Sequence, residues 1–165
     1  MSQSPVQQVS RDLTETIVNI KVSSVLNRNT REYGKKHLTD KHLETCWNSE
    51  QGSSQYIAFE FAQPQVVNKL YITFQGGFAG KSVELNGILS AEQLKESAAT
   101  NAETIPASKQ SSTVLLGILY PQDSNSNQAL EFKNTKAFTK YKIVFPESTD
   151  FYGRITIYSL QIHGY

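Results

Sequence analysis

The sequence predicts an all-β protein, built as an antiparallel β-sandwich. Apolar and polar side chains alternate in several short segments, most clearly at Ile57, Phe59 and Phe61. Segments rich in Gly, Pro, Asn and Ser, such as 75–80 and 121–127, separate them. A period of two is typical of strands with one buried face, and many short strands joined by such turns favour a sandwich or barrel. The pattern alone leaves immunoglobulin-like, jelly-roll and barrel topologies open.

About eight strands follow from these patterns. In the last one the buried parity changes from odd, at Ile155 and Ile157, to even, at Leu160 and Ile162, which indicates a β-bulge near Tyr158 and Ser159. The predicted strands are residues 17–25, 56–61, 70–74, 83–89, 114–119, 130–132, 141–145 and 155–162.

The run from Val114 to Leu119 is apolar throughout and predicts a central strand of the core. Its Leu115-Leu116-Gly117-Ile118-Leu119 resembles the Leu-x-x-Leu-Leu helix that docks on nuclear receptors. The glycine and the strand context favour the core interpretation instead.

The chain is expected to form one domain. Its 165 residues, 38% of them hydrophobic, suffice for a single core over residues 15–165, after a polar tail of residues 1–14. Residues 91–112 hold few core-sized side chains and predict a surface insertion. Its first half is expected to be a short helix, with Ser90 and Gln93 forming a capping box, and disorder is the alternative for its second half.

Charge and cysteine content exclude several classes of partner. The net charge of +1 gives no overall field for binding nucleic acid or anionic membranes, and no apolar run is long enough to span a bilayer. The start lacks the apolar run of a signal peptide, Cys46 is the single cysteine, and no Asn-x-Ser/Thr acceptor occurs. These observations favour a reducing compartment and no membrane or nucleic-acid partner.

The segment from His37 to Ser49 narrows the choice among these topologies. Asp40, Thr45 and Trp47 are spaced as in the loop after the first strand of galactose-binding-like (discoidin) domains, which this sequence resembles. The resemblance implies a jelly-roll sandwich in which the Asp and Thr shape the loop, often around a calcium ion, while the Trp packs beneath it.

A structural calcium ion is the one cofactor that the resemblance suggests, and none is required. The Asp40 carboxylate, the Thr45 hydroxyl and the backbone carbonyls of His37 and His42 are hard oxygen donors of the kind calcium prefers. One carboxylate is few, and Ser159 stands where metal-binding relatives often carry a Glu. Zinc is not favoured, because His37 and His42 have no second carboxylate nearby.

A closer resemblance covers residues 20–164. The stretches at 23–31, 45–49, 74–78 and 149–154 are similar to a family of small proteins associated with an orphan nuclear receptor. That resemblance implies a protein of the nucleus and cytoplasm that binds an orphan nuclear receptor, hinders its dimerisation and represses transcription.

No catalytic site is predicted. Cys46 lies beside Trp47 in a segment expected to be buried, and His163 has no Ser or Cys partner placed by the sequence. The basic run at 28–37 is interpreted as a solvated loop rather than a phosphate-binding one. The chain is therefore expected to work by binding.

The predicted partner surface consists of loop residues at one end of the sandwich, because a rigid scaffold leaves loop side chains free to bind. An equal alternative is that Phe78 and Phe151 fold inward and close the core. A carbohydrate-binding module is the competing function, with Arg154, Phe78 and Tyr152 as its site. The predicted partner-binding residues are Arg28, Asn48, Gln51, Phe78, Phe151, Tyr152 and Arg154.

Overall fold

Two antiparallel sheets pack around one hydrophobic core in the computed structural model, which describes residues 6–100 and 112–165. The strands are β1 (Arg11–Asp12), β2 (Ile17–Val22), β3 (Trp47–Asn48), β4 (Gln55–Gln65), β5 (Val67–Phe74), β6 (Val83–Ile88), β7 (Thr113–Leu119), β8 (Asn127–Glu131), β9 (Phe138–Phe145) and β10 (Thr156–Gly164). The α-helices are α1 (Thr30–Tyr33) and α2 (Ala91–Thr100).

One sheet has the strand order β1-β10-β5-β8, with β3 also pairing with β10, and the other has the order β2-β4-β9-β6-β7. The β-sandwich class and the eight predicted strands are confirmed. The two strands that the sequence did not predict, β1 and β3, have two residues each, too few for any periodicity. Within the described ranges, no helix has the length and apolar character needed to cross a membrane.

The core is formed by the alternating side chains of both sheets. Phe59 stacks on Tyr141 with ring centroids 5.4 Å apart, and Phe61 meets the same ring edge-on. The Tyr141 hydroxyl donates to the carbonyl of Gln65 at 2.5 Å and accepts from the N–H of Val67 at 3.1 Å. A buried hydroxyl is tolerated when it is paired in this way, so Tyr141 links the core to the β4–β5 turn.

The β-bulge in the last strand is confirmed. The register of β10 against β5 shifts between Ile157 and Ser159. Ile157, Leu160 and Ile162 are all buried, so the extra residue carries the buried face from odd to even positions.

The prediction that residues 114–119 form a central strand of the core is wrong. Among the described residues β7 pairs only with β6, at the edge of its sheet, and the side chains of Leu115 and Ile118 are 53% and 40% exposed. Val114, Leu116 and Leu119 pack partly against the core. An apolar run does not reveal where a strand lies in its sheet, because strand order depends on pairings distant in sequence.

The sandwich begins earlier than the predicted boundary at residue 15. Arg11 and Asp12 pair with β10, and Leu13 is fully buried. A single Leu in a polar segment gives no periodic pattern, so the sequence did not reveal this anchor.

The predicted capping box of the insertion is confirmed. The N–H of Gln93 donates to the Ser90 hydroxyl at 3.2 Å, and the N–H of Ser90 donates to the Gln93 side chain at 2.9 Å. Helix α2 follows directly and is mostly exposed. The alternative of disorder in the second half of the insertion concerns mainly residues 101–111, which lie outside the described residues.

Candidate functional site

The loop before β3 is organised around the carboxylate of Asp40. One carboxylate oxygen accepts from the hydroxyl of Thr45 at 2.6 Å and contacts Nδ1 of His37 at 2.9 Å, and the other accepts from the N–H of His42 at 2.9 Å. The other ring nitrogen of His37 lies 2.9 Å from the carbonyl of Arg31. The loop is therefore closed by hydrogen bonds between its own side chains and backbone.

These hydrogen bonds set the ionisation of Asp40. Burial on its own would raise the pKa of the carboxyl group, but the bonds from Thr45, His37 and His42 stabilise the charged form and together outweigh it. The pKa of Asp40 therefore lies below its usual range.

The oxygen donors of this loop do not fit a calcium ion, which takes about six to eight oxygen ligands. Both Asp40 oxygens are engaged by protein groups, and the Thr45 hydroxyl lies 3.1 Å from the carbonyl of His42, one of the predicted ligands. Nowhere in the described ranges do three or more His, Cys, Asp or Glu residues group as a metal site would require. The expectation of calcium at Asp40 and Thr45 therefore rests on the resemblance alone, and the geometry of the loop does not support it.

Trp47 lies beneath the loops, as predicted. Its side chain is 0% exposed, and its indole N–H donates to the carbonyl of Ser24 at 2.9 Å. The Ser24 hydroxyl in turn accepts from the N–H of Glu50 at 3.0 Å. The Trp47 indole and the Ser24 hydroxyl together tie the segment after β2 to β3 and to the loop that follows it.

Three loops meet at the end of the sandwich. The N–H of Gly52 donates to the carbonyl of Tyr152 at 2.8 Å, and the N–H of Thr149 donates to the carbonyl of Ala79 at 2.8 Å. Gly153 has φ of +88°, and a Cβ there would lie 2.9 Å from the backbone of Gly52. Glycine is required at residue 153 for both reasons.

Arg154 connects these loops through its guanidinium group. Its Nε donates to a carboxylate oxygen of Asp150 at 3.0 Å, and its Cζ lies 5.1 Å from the ring centroid of Phe78 and 5.9 Å from that of Tyr152. The hydrogen bond from Arg154 holds the pKa of Asp150 below its usual range, against the opposing effect of burial. The cation is held in place by the acid and faces two aromatic rings.

The two aromatic residues at the tip of the last loop face solvent. The side chain of Phe151 is 93% exposed and that of Tyr152 is exposed as well, with their rings edge-to-face at 5.3 Å. The alternative that Phe151 folds inward to close the core is therefore wrong. Phe78 is half-buried against Arg154.

Of the remaining predicted partner residues, two lie on the exposed surface and one does not. Gln51 and Arg28 are both exposed, and the N–H of Asn27, next to Arg28, donates to the Glu50 carboxylate at 3.0 Å. Asn48 differs from the prediction, since it lies in β3, half-buried and paired with Thr156 rather than on a free loop. The loop-end surface is defined here as Arg28, Gln51, Phe78, Phe151, Tyr152 and Arg154.

A cavity of about 490 Å³ opens beside this surface, lined among others by Ser53, Lys81, Glu147 and Asp150. The sequence did not predict these residues as part of the site. For Asp150 a signal existed, because it stands four residues before Arg154. Lys81 is brought to the cavity by a hydrogen bond between two loops distant in sequence, which its N–H donates to the carbonyl of Glu147. That contact has no local sequence signature.

Solved structures place this sandwich in the galactose-binding-like, discoidin-type fold. A family 32 carbohydrate-binding module from C. perfringens, solved in complex with galactose, superposes with a TM-score of 0.67 at 10% identity, over 94% of this chain and 99% of that one. An F5/8 type C domain from Bacteroides fragilis gives a TM-score of 0.65 at 11% identity, over 90% of this chain and 95% of that one. No protein-family model matches the sequence.

Curated relatives define the family more narrowly. The nuclear receptor 2C2-associated protein of Danio rerio is 42% identical over 144 residues, 87% of this chain and 89% of that protein. The protein of the same name from Homo sapiens is 40% identical over the same shares of both chains. The chain belongs to the family of nuclear receptor 2C2-associated proteins. The names of these relatives describe association with a protein, and the C. perfringens structure is a carbohydrate-binding module.

Proposed function

We propose that this chain is a non-catalytic interaction module that holds a protein partner on its loop-end surface. The observation that carries the proposal is the pair Phe151 and Tyr152, both exposed on a loop fixed by backbone hydrogen bonds and next to the Arg154 guanidinium. Aromatic and Arg side chains dominate the energetics of protein interfaces. When a partner covers an apolar ring as exposed as Phe151, apolar surface leaves water, and this favours binding.

The partner we propose is an orphan nuclear receptor of the kind in the names of the relatives. In this proposal the module binds the receptor in the nucleus, hinders its dimerisation and so represses transcription, while a second pool resides in the cytoplasm. A module that covers part of the receptor's dimer interface competes directly with the second receptor subunit.

The surroundings of the potential nucleophiles and bases support a role without catalysis. Burial raises the pKa of the Cys46 thiol, which disfavours the reactive thiolate. Both ring nitrogens of His37 are engaged by Asp40 and the carbonyl of Arg31. His163 packs edge-on against the ring of Tyr71 at 4.8 Å.

The test is a double variant, Phe151→Ser with Tyr152→Ser. Because both side chains are exposed, we expect the melting temperature to stay within a few degrees of the parent while affinity for nuclear receptor 2C2 falls about tenfold or more. Pull-down and calorimetry measure binding, and a receptor-driven reporter measures repression. Leu43→Ser is the matched control, since Leu43 is also exposed but lies outside the loop-end surface.

Two results would contradict the proposal. If the folded double variant binds and represses as the parent does, the loop end does not hold the receptor. If the parent itself neither binds the receptor nor enters the nucleus, the receptor function is wrong.

Carbohydrate binding is the second candidate, favoured by the Arg154 guanidinium beside the rings of Phe78 and Tyr152. The hydrogen bonds of Arg154 to Asp150 weigh against it, because they occupy donors that a sugar hydroxyl would need. A glycan array separates the two functions. Reproducible binding of galactose or fucose that is lost in Arg154→Lys would favour the sugar site.

A further inference from the structure

A groove separate from the loop-end surface runs between the edge strand β2 and the segment that contains α1. Its volume is about 550 Å³, within the usual range of ligand sites. The residues named here as the basic groove are Lys21, Val22, Val25, Arg31, Lys35 and Lys36.

The rim of the basic groove is cationic. Lys21, Arg31, Lys35 and Lys36 line it, and no carboxylate does. Where the structure describes side chains, Lys21, Arg31 and Lys36 form no ion pair, whereas other lysines such as Lys69 do. Four positive groups around one groove, without acids to neutralise them, attract a negatively charged partner.

The lining between these cations is apolar. Val22 and Val25 are half-buried and pack against the core with their inner sides, so their outer sides are open to the groove. A ligand that places an aliphatic or aromatic side chain over these valines removes apolar surface from water.

Local contacts hold the wall of the groove in shape. The Asn29 side chain caps α1 by accepting from the N–H of Glu32 at 3.2 Å. At Gly34 a Cβ would lie 2.3 Å from the carbonyl oxygen of Thr30, so the chain turns closely against α1 there. A rigid wall lowers the entropy cost of binding.

We propose that the basic groove binds an acidic peptide segment carrying one apolar anchor residue. Carboxylates of the segment pair with Arg31, Lys36 and Lys21, and the anchor covers Val22 and Val25. The segment lies along the groove rather than adding a strand to β2, because the Lys35 ammonium already donates to the carbonyl of Ile20 at 2.5 Å. Nucleic acid fits less well, since no aromatic ring lines the groove to stack on a base.

The experiment measures fluorescence anisotropy of a short fluorescein-labelled peptide of Glu and Gly with one central Phe. We expect saturable binding by the parent that weakens as salt is raised. The double variant Arg31→Glu with Lys36→Glu should bind about tenfold more weakly or worse. The matched control, Lys95→Glu with Lys133→Glu, makes the same charge change at exposed sites outside the groove and should bind as the parent does.

Changes to the peptide test each half of the proposal. Replacing Glu by Gln, or Phe by Ala, should each weaken binding. The loop-end variant Phe151→Ser with Tyr152→Ser should bind the peptide with unchanged affinity, so this test does not depend on the receptor.

The proposal is overturned if the parent shows no binding at millimolar protein, or if the Gln peptide binds as tightly as the Glu peptide. It is also overturned if the groove variant binds like the parent, if the loop-end variant loses the peptide, or if single-stranded DNA binds more tightly and displaces the peptide.

Discussion

At the scale of single residues, Asp40 does the most to shape the loop before β3. Replacing it by Asn keeps the size of the side chain but puts an amide N–H₂ where one oxygen now faces Thr45 and His37. We expect Asp40→Asn to lower the free energy of unfolding by about 1–3 kcal/mol, the usual cost of unpaired partly buried polar groups. Urea unfolding measures it, and Glu44→Gln, an exposed carboxylate of the same loop, should change little.

The contribution of Asp40 should also depend on pH. Its pKa in the folded protein is depressed, since its hydrogen bonds outweigh the opposing effect of burial. The stability that this ionisation contributes is therefore fully present above the unfolded pKa of about 3.9, and it is lost as the pH falls through the folded value. The difference in stability between the parent and Asp40→Asn should be constant near neutral pH and shrink in acid. A difference that grows in acid would contradict the assignment.

The geometry of the Asp40 loop also makes a prediction for calcium. Because its oxygens already hold protein donors, we expect no heat of binding at millimolar calcium and no change of melting temperature with a chelator. Binding that disappears in Asp40→Asn would instead place calcium at this loop.

Trp47 should be structural. Because its indole is fully buried and its N–H is bonded to Ser24, Trp47→Ala should cost about 3–5 kcal/mol of stability. Chemical denaturation of Trp47→Ala, with Trp47→Phe as the milder comparison, measures this cost. Normal stability in the Ala variant would show that the ring contributes little to the core.

At the scale of elements, the two edges of the five-stranded sheet β2-β4-β9-β6-β7 differ. β2 carries Lys21, and Lys35 covers the carbonyl of Ile20, whereas β7 has no charged residue and exposes Leu115 and Ile118. Uncharged, apolar edges pair readily with other strands, and lysines on an edge discourage this.

We therefore expect Leu115→Lys to reduce association of the protein at high concentration, with little change in melting temperature. Light scattering across a concentration series measures the association. Val18→Lys is the matched control, because Val18 is exposed on the already protected β2 edge. Equal effects of both variants would show that the β7 edge has no special role.

At the scale of the whole molecule, the structural features that the sequence predicted are those that depend on residues close together in the chain. The alternation in β4, the bulge near Ser159 and the capping box at Ser90 are each encoded within a few positions. The edge position of β7 and the early anchor at Leu13 depend on pairings with distant strands. These long-range features have no local pattern.

In the candidate site, too, features with a local sequence motif were predicted and those that depend on long-range contacts were not. The role of Asp40 and Thr45 in the loop follows a short motif and was predicted. The contact between Arg154 and Phe78 joins two loops that are far apart in sequence, and only the fold brings them together. The basic groove was visible in sequence as a charged run, but its apolar lining comes from β2 and the residues after it.

The indole of Trp47 has a further consequence for how the protein is observed. It is the single tryptophan of the chain and is fully buried, so the tryptophan fluorescence of the protein comes from one known position. Its bonding partner Ser24 stands beside Val25 of the basic groove and, through its hydroxyl, holds the N–H of Glu50 beside the loop-end surface. An optical signal from this one ring therefore reports on the folded state of the segment that joins the two surfaces in the unlabelled protein.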